Sequence, residues 1–194
     1  MSQYIVLIGA VINLMGVFSY IKKTVLGKTK PNKVTWLLWA IAPLIASAAA
    51  FSAGVRLAVL PVFMAGFLSL LVFIASFVNK KSYWKLEIFD YICGAFSMLA
   101  LVLWGITKDP LIAIIFALTS DGFAAIPTII KSWKHPETES LGAYTAGLLN
   151  SLTSFFALKT FSISELAFPI YLVLLNIILI TGICKGRLKM IKFL

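Results

Sequence analysis

Asp121 lies deep in an apolar stretch, Leu111–Ile130, roughly ten residues from either end, which at about 1.5 Å per residue is about 15 Å from either edge of a helix. A carboxyl group there is costly unless it is protonated, hydrogen-bonded, ion-bound or faced by a water-filled cavity. No Lys or Arg falls inside the long apolar stretches to neutralise it. All of those states except simple hydrogen bonding to a neighbouring helix describe a coupling or cargo site.

Asn13, Asn150 and Asn176 also fall near the centres of their apolar stretches, so four strongly polar side chains share one depth. Facing a common axis, they would form a ring of donors and acceptors for hydroxyls, an amide or a carboxylate. The plainer alternative is that each Asn holds two helices together, at about 0.5 to 2 kcal/mol apiece. Gly147, Asn150, Ser151 and Ser154 recur at helical steps and make a small, polar stripe that either admits a neighbouring helix or lines a path. Trp39, Pro43, Ala46 and Ala50 form a comparable face. Trp39 and Tyr144 stand within about a turn or so of the ends of their stretches and suit a gate or an interfacial anchor. Pro43, Pro61, Pro127 and Pro169 interrupt helical hydrogen bonding and serve as hinges or as static kinks.

Enzymatic chemistry has little to work with. The single histidine, His135, stands in a polar segment, and there is no HExxH, no phosphate-cradling glycine loop and no serine, histidine and acid set. Cys93 and Cys184 are too few and too far apart for a zinc site or a disulfide framework. No metal, cofactor or catalytic residue is expected.

The elements that would hold these side chains follow from composition. Of 194 residues, 61% are hydrophobic and 12% charged, which is too little charge to coat one water-soluble domain. A bilayer core of about 30 Å needs roughly 20 apolar residues in a helix. Seven runs of about that length are present: Gln3–Ile21, Val34–Phe51, Leu57–Val78, Leu86–Thr107, Leu111–Ile130, Leu141–Leu158 and Leu166–Cys184. The first has no basic region before it and no small-residue cleavage site, so it is expected to be a retained span.

The net charge of +10 sits in short runs between the spans and does not signal nucleic acid. The segment after span 1 has Lys22, Lys23, Lys28, Lys30 and Lys33, and the one after span 3 has Lys80, Lys81 and Lys85. Lys131 and Lys134 follow span 5; Lys185, Arg187, Lys189 and Lys192 follow span 7. Only Arg56, Lys108 and Lys159 fall on the other side. Positive charge stays in the cytoplasm, so the N-terminus is expected outside and the C-terminus inside. Trp84, Trp104 and Trp133 near span ends fit an interfacial belt. Asp90, a turn into span 4, pairs in this reading with Lys81 or Lys85, and Glu137 and Glu139 belong to a solvated loop beside Lys134 and His135.

Residues 3–80 and 111–185 show an ordered internal correspondence. Gly16-Val17-Phe18 matches Gly122-Phe123-Ala124, Pro31 matches Pro136, Thr35 matches Ser140, Trp39 matches Tyr144 and Pro61 matches Pro169. Each half has an odd number of spans, so span 4 carries the chain back and the halves run parallel, with a site expected between them near the midplane.

This pattern resembles the superfamily of PQ-loop proteins, SWEET sugar transporters and their half-sized bacterial relatives, over essentially the whole chain. The best local match is Pro127-Thr128-Ile129-Ile130-Lys131-Ser132-Trp133-Lys134, similar to the family's Pro-Gln-x-x-x-x-Trp with Thr128 in place of glutamine. Ser140 and Thr35, opening the following spans, are also family-like. Ile21-Lys22 stands where the first half would carry Pro-Gln, and Ile170 follows Pro169 where plant-type SWEET proteins have asparagine. The superfamily includes amino-acid exporters, vitamin transporters and a cargo receptor, so the resemblance implies a fold more than a substrate.

The expectation is an all-α integral membrane protein in a 3+1+3 arrangement: residues 1–80 as one three-helix repeat, 81–110 as a linker helix, 111–194 as the second repeat and a basic tail. It would move a sugar, amino acid or vitamin-like solute by alternating access, with Asp121 coupling to protons or a monovalent cation. The rival is a non-transporting receptor or scaffold of the same fold. The bilayer and the solute are the expected partners, further copies of the chain an optional one, and a prokaryotic inner membrane the expected address.

Overall fold

A computed structural model describes residues 4–52, 60–106, 110–156 and 163–192. Arg56, Lys108 and Lys159 lie outside the described residues. The described residues form seven α-helices and no strand: α1 Ile5–Val25, α2 Lys33–Ser52, α3 Leu60–Ala75, α4 Ile88–Ile106, α5 Pro110–Lys134, α6 Leu141–Ser154 and α7 Ile163–Lys192. Two stretches are long and apolar enough to cross a membrane, Ile5–Val25 and Leu166–Leu188. Shorter apolar stretches include Lys33–Leu44, Leu60–Ala75 and Ile88–Leu103.

Three helices outrun their apolar stretches. α1 continues to Val25 with Lys22 and Lys23 in its last turn, and α5 to Lys134, so that Lys131 and Lys134 belong to its last turn and not to a loop. Positive charge there complements the negative end of the helix dipole. α7 continues to Lys192 and carries Lys185 and Arg187 as helical residues.

α1 packs on α6 and α2 on α5; α1 and α2 each pack on α3, while α5 and α6 each pack on α7. This set of six packings is unchanged when α1, α2 and α3 are exchanged for α5, α6 and α7. α4 stands outside the scheme, against α5 and α2. Glycine makes the α1–α6 approach close: a Cβ on Gly16 would lie 2.3 Å from Ala146 Cβ and 3.0 Å from the Gly142 carbonyl. Gly122, its match in α5, has open space instead.

The lysine-rich ends gather at one end of the bundle. α1 closes at Gly27, whose φ of 76° suits glycine and turns the chain towards Lys81. Asn79 then donates to the Val25 carbonyl at 2.7 Å, and Ser82 to that of Thr24. Lys30 N–H donates to Thr138 O at 2.9 Å, and Arg187 reaches Glu139 O at 3.2 Å. Successive helices therefore alternate in direction.

Asn32 caps α2, accepting from Val34 N at 3.0 Å and Thr35 N at 3.3 Å, and donates to Asp90 Oδ1 at 2.7 Å. Asp90 Oδ2 accepts from Glu87 N at 2.6 Å, which makes Asp90 part of the cap of α4. The expected pairing of Asp90 with Lys81 or Lys85 is corrected: its carboxylate is committed to Asn32 and the α4 backbone.

The distribution of polarity is inverted relative to a water-soluble bundle. Ile88, Ile106, Met15 and Phe18 are 79%, 71%, 68% and 66% exposed, whereas Asn13, Asp121, Asn150 and Asn176 are buried.

Candidate functional site

A cavity of about 170 Å³ lies between α1, α2, α3, α5, α6 and α7. One water needs roughly 10–15 Å³, so there is room for a small organic molecule. Asn13 from α1, Asp121 from α5, Asn150 from α6 and Asn176 from α7 all line it, so the four deep polar residues meet in one place. Trp39, Tyr144, Pro43, Pro61 and Pro169 line it as well. Pro127 does not; it borders a separate pocket beside α4, with Trp84, Asp90 and Lys131. Pro43, Pro127 and Pro169 interrupt helices, but Pro61 sits in the first turn of α3, where no intrahelical N–H is lost.

The polar atoms of the cavity divide into satisfied and unsatisfied. Tyr171 donates to Asp121 Oδ2 at 2.6 Å, and Asn176 Nδ2 donates to Leu172 O at 2.8 Å. The Nε1 atoms of Trp36 and Trp39 and the Oδ1 atom of Asn150 are out of solvent contact and have no hydrogen-bond partner among the described residues. A buried polar atom without a partner costs about 1 to 3 kcal/mol; Trp36, Trp39 and Asn150 line the cavity, but these particular atoms have no surface open to it. Among the described residues lining the cavity there is no Lys or Arg and one carboxyl group, that of Asp121.

Aromatic rings floor the cavity towards the lysine-rich end. Tyr20 and Trp36 have centroids 5.0 Å apart, Trp36 and Trp39 5.4 Å, and Tyr20 and Tyr144 6.5 Å. Tyr20, Trp36 and Tyr144 are buried. Trp36, three residues before Trp39 and so on the same side of α2, carries in that spacing the signal that makes it a neighbour of Trp39.

Behind these rings lies Glu139. Tyr20 donates to its Oε2 at 3.0 Å and Tyr144 at 2.9 Å, and Lys131 Nζ is paired with its Oε1 at 2.5 Å. Lys131 also donates to the Lys30 carbonyl and sits 4.9 Å from the Trp84 ring centroid. Glu139 is only 2% exposed and Lys131 1%. Burial pushes the Lys131 ammonium down from its ordinary value, and the adjacent Glu139 opposes that shift. The expected solvated loop is half corrected: Glu137 is exposed beside His135, but Glu139 is interior. Its partners come from α1, α5 and α6, and Tyr20 is 119 residues away in sequence, so no local pattern announces that one.

Further bonds cross between the first three helices and the last three at the same end. Thr35 Oγ1 donates to Ala124 O at 2.7 Å, Thr128 Oγ1 donates to Thr35 Oγ1 at 3.0 Å, and Lys23 Nζ donates to Ser140 Oγ at 3.2 Å. Thr35, Thr128 and Ser140, singled out above from the resemblance, thus all lie on this seam. Cys93 and Cys184 are free, and no cluster of three or more His, Cys, Asp or Glu that could hold a metal occurs among the described residues.

Comparison of the chain with protein-family models, with curated proteins and with solved structures finds no match.

Proposed function

We propose that this chain is a seven-span membrane transporter of a modest, polar organic solute, in 3+1+3 order, working by alternating access between its two three-helix halves. The observation that carries the reading is the shared cavity: Asp121, Asn13, Asn150 and Asn176 line it together, with Trp36 and Trp39 beside them. Residues serving only as helix glue would pair with one another and leave no void between them.

The packing supports two equivalent halves, since α1, α2 and α3 exchange for α5, α6 and α7 without altering it. The apolar outer surface supports a bilayer around the bundle. The convergence of lysine-rich ends supports a cytoplasmic face there and an outside N-terminus, as in a prokaryotic inner membrane. Asp121 is the site for a co-transported proton or monovalent cation, being the cavity's one carboxyl group. Pro43 and Pro169, within α2 and α7 at the cavity wall, are the bending points.

Sealed proteoliposomes offered sugars, amino acids, amines and vitamins, with and without an imposed proton gradient, test the reading. Solute uptake that moves protons in the native chain and is lost in Asp121→Asn is expected. Solute-dependent stabilisation of the protein without any uptake across the sealed vesicle would replace the transporter with a receptor.

A further inference from the structure

The strongest feature outside the cavity is the buried group of Glu139, Lys131, Tyr20 and Tyr144. We propose that Glu139 is the positioning residue of an inner latch, holding the cytoplasmic end shut through Tyr20 and releasing that one partner when the end opens. The inference rests on the alternating-access reading above.

Membership of the two halves makes the latch reversible. Lys131 ends α5 and Tyr144 is in α6, so both move with Glu139, whereas Tyr20 belongs to α1 and the Lys30 carbonyl to the segment between α1 and α2. Parting α1 from α6 at this end therefore breaks the Tyr20 bond and leaves Glu139 with an ion pair and a second phenol. No buried charge is orphaned in either state, which is what a repeatable switch between two packings requires. Among the described residues, the other bonds across the seam, from Lys23, Lys30, Thr35, Thr128 and Lys131, have hydroxyl or carbonyl acceptors; only Glu139 offers a carboxylate.

The cavity and the latch share structure. Tyr144 touches both, lining the cavity with its ring and donating to Glu139 with its hydroxyl. Tyr20 packs at a tilt of 51° against Trp36, which also lines the cavity. An occupant that engages Trp36 and displaces the Tyr144 ring thus acts directly on the two phenols that meet at Glu139.

Spin labels at Lys22→Cys and Glu137→Cys, both exposed and on opposite sides of the seam, report the inner opening by pulsed distance measurement in liposomes, with Cys93 and Cys184 replaced by alanine. Tyr20→Phe keeps the ring and removes only the bond that crosses. It is expected to raise the long-distance population relative to the short one by on the order of tenfold to a hundredfold, the range for one charge-assisted hydrogen bond. Tyr144→Phe removes a bond within the second half and is expected to leave the distribution within about twofold of the parent. The charge-neutral pair Glu139→Leu with Lys131→Met removes the acceptor of that bond together with the Lys131 bond to the Lys30 carbonyl, and is expected to shift the distribution at least as far as Tyr20→Phe. Unchanged distances in both Tyr20→Phe and the neutral pair would overturn the latch, as would an equal shift in Tyr144→Phe. These distances need no cargo, so a latch that opens in a protein without flux would condemn the transport reading and keep the latch, and flux with immobile labels would do the reverse.

Discussion

Tyr171 on α7 donates to Asp121 on α5 at 2.6 Å, tying the cavity's one carboxyl group to the neighbouring helix. The bond uses one carboxyl oxygen and so separates two roles that Asp121 could have. Tyr171→Phe removes the donor and is expected to cost about 1 to 3 kcal/mol of stability, read as a lower melting temperature in detergent. Asp121→Asn keeps an acceptor for Tyr171 and is expected to melt within a few tenths to about 1 kcal/mol of the parent, while proton-linked uptake in proteoliposomes disappears. Equal damage to melting by both, with uptake retained in Asp121→Asn, would leave Asp121 a structural carboxyl.

Trp36→Phe and Trp39→Phe each delete an indole N–H that has no partner among the described residues. Removing such a donor loses no bond but shrinks a packed ring, so melting is expected to fall. Affinity for the cargo is expected to fall by about tenfold for each, about 1.4 kcal/mol of lost contact with the ring. Calorimetric or fluorescence titration with the transported solute checks this, and unaltered affinity in both variants would detach the indoles from the binding site.

Lys131→Met leaves Glu139 as a buried carboxylate supported only by two phenols, and a loss of about 3 to 5 kcal/mol is expected. Adding Glu139→Gln removes the stranded charge and is expected to restore most of that loss. Denaturation of the two variants beside the parent measures the difference, and a double variant no more stable than the single one would contradict it.

Gly16→Val is expected to destabilise the bundle by about 1 to 3 kcal/mol or prevent its assembly, since even a Cβ there meets Ala146 and the Gly142 carbonyl. Gly122→Ala, at the matched position in α5, meets nothing within 4 Å and is expected to be neutral or mildly stabilising. Yield of folded protein and thermal melting distinguish the two.

Depth along an apolar stretch was readable because helical rise is fixed, which is why Asn13, Asp121, Asn150 and Asn176 stood out before any packing was known. Glu139 was hidden by the same reasoning. It sits just past α5 among His135, Pro136 and Glu137, and composition there indicates a loop in water. Its burial arises because the segments after α1 and α5 and the end of α7 converge, and that depends on contacts more than a hundred residues apart, as from Tyr20. Asp90 failed similarly: Lys81 and Lys85 were close in sequence, but Asn32, 58 residues away, was close in space. Tyr171 had no periodic or charge signal to mark it as the partner of Asp121.

The two halves of the bundle share a plan and differ in chemistry. Of the four deep polar residues, α1 supplies Asn13, whereas α5, α6 and α7 supply Asp121, Asn150 and Asn176. Where Asp121 precedes Gly122, Met15 precedes Gly16, and Met15 points outward, 68% exposed. A cargo in this cavity would meet the carboxyl group of Asp121 and two amides on one side and the indole rings of Trp36 and Trp39 with one amide on the other. Such lopsidedness gives the cargo a preferred orientation, so mirror-image isomers of one solute should be accepted unequally.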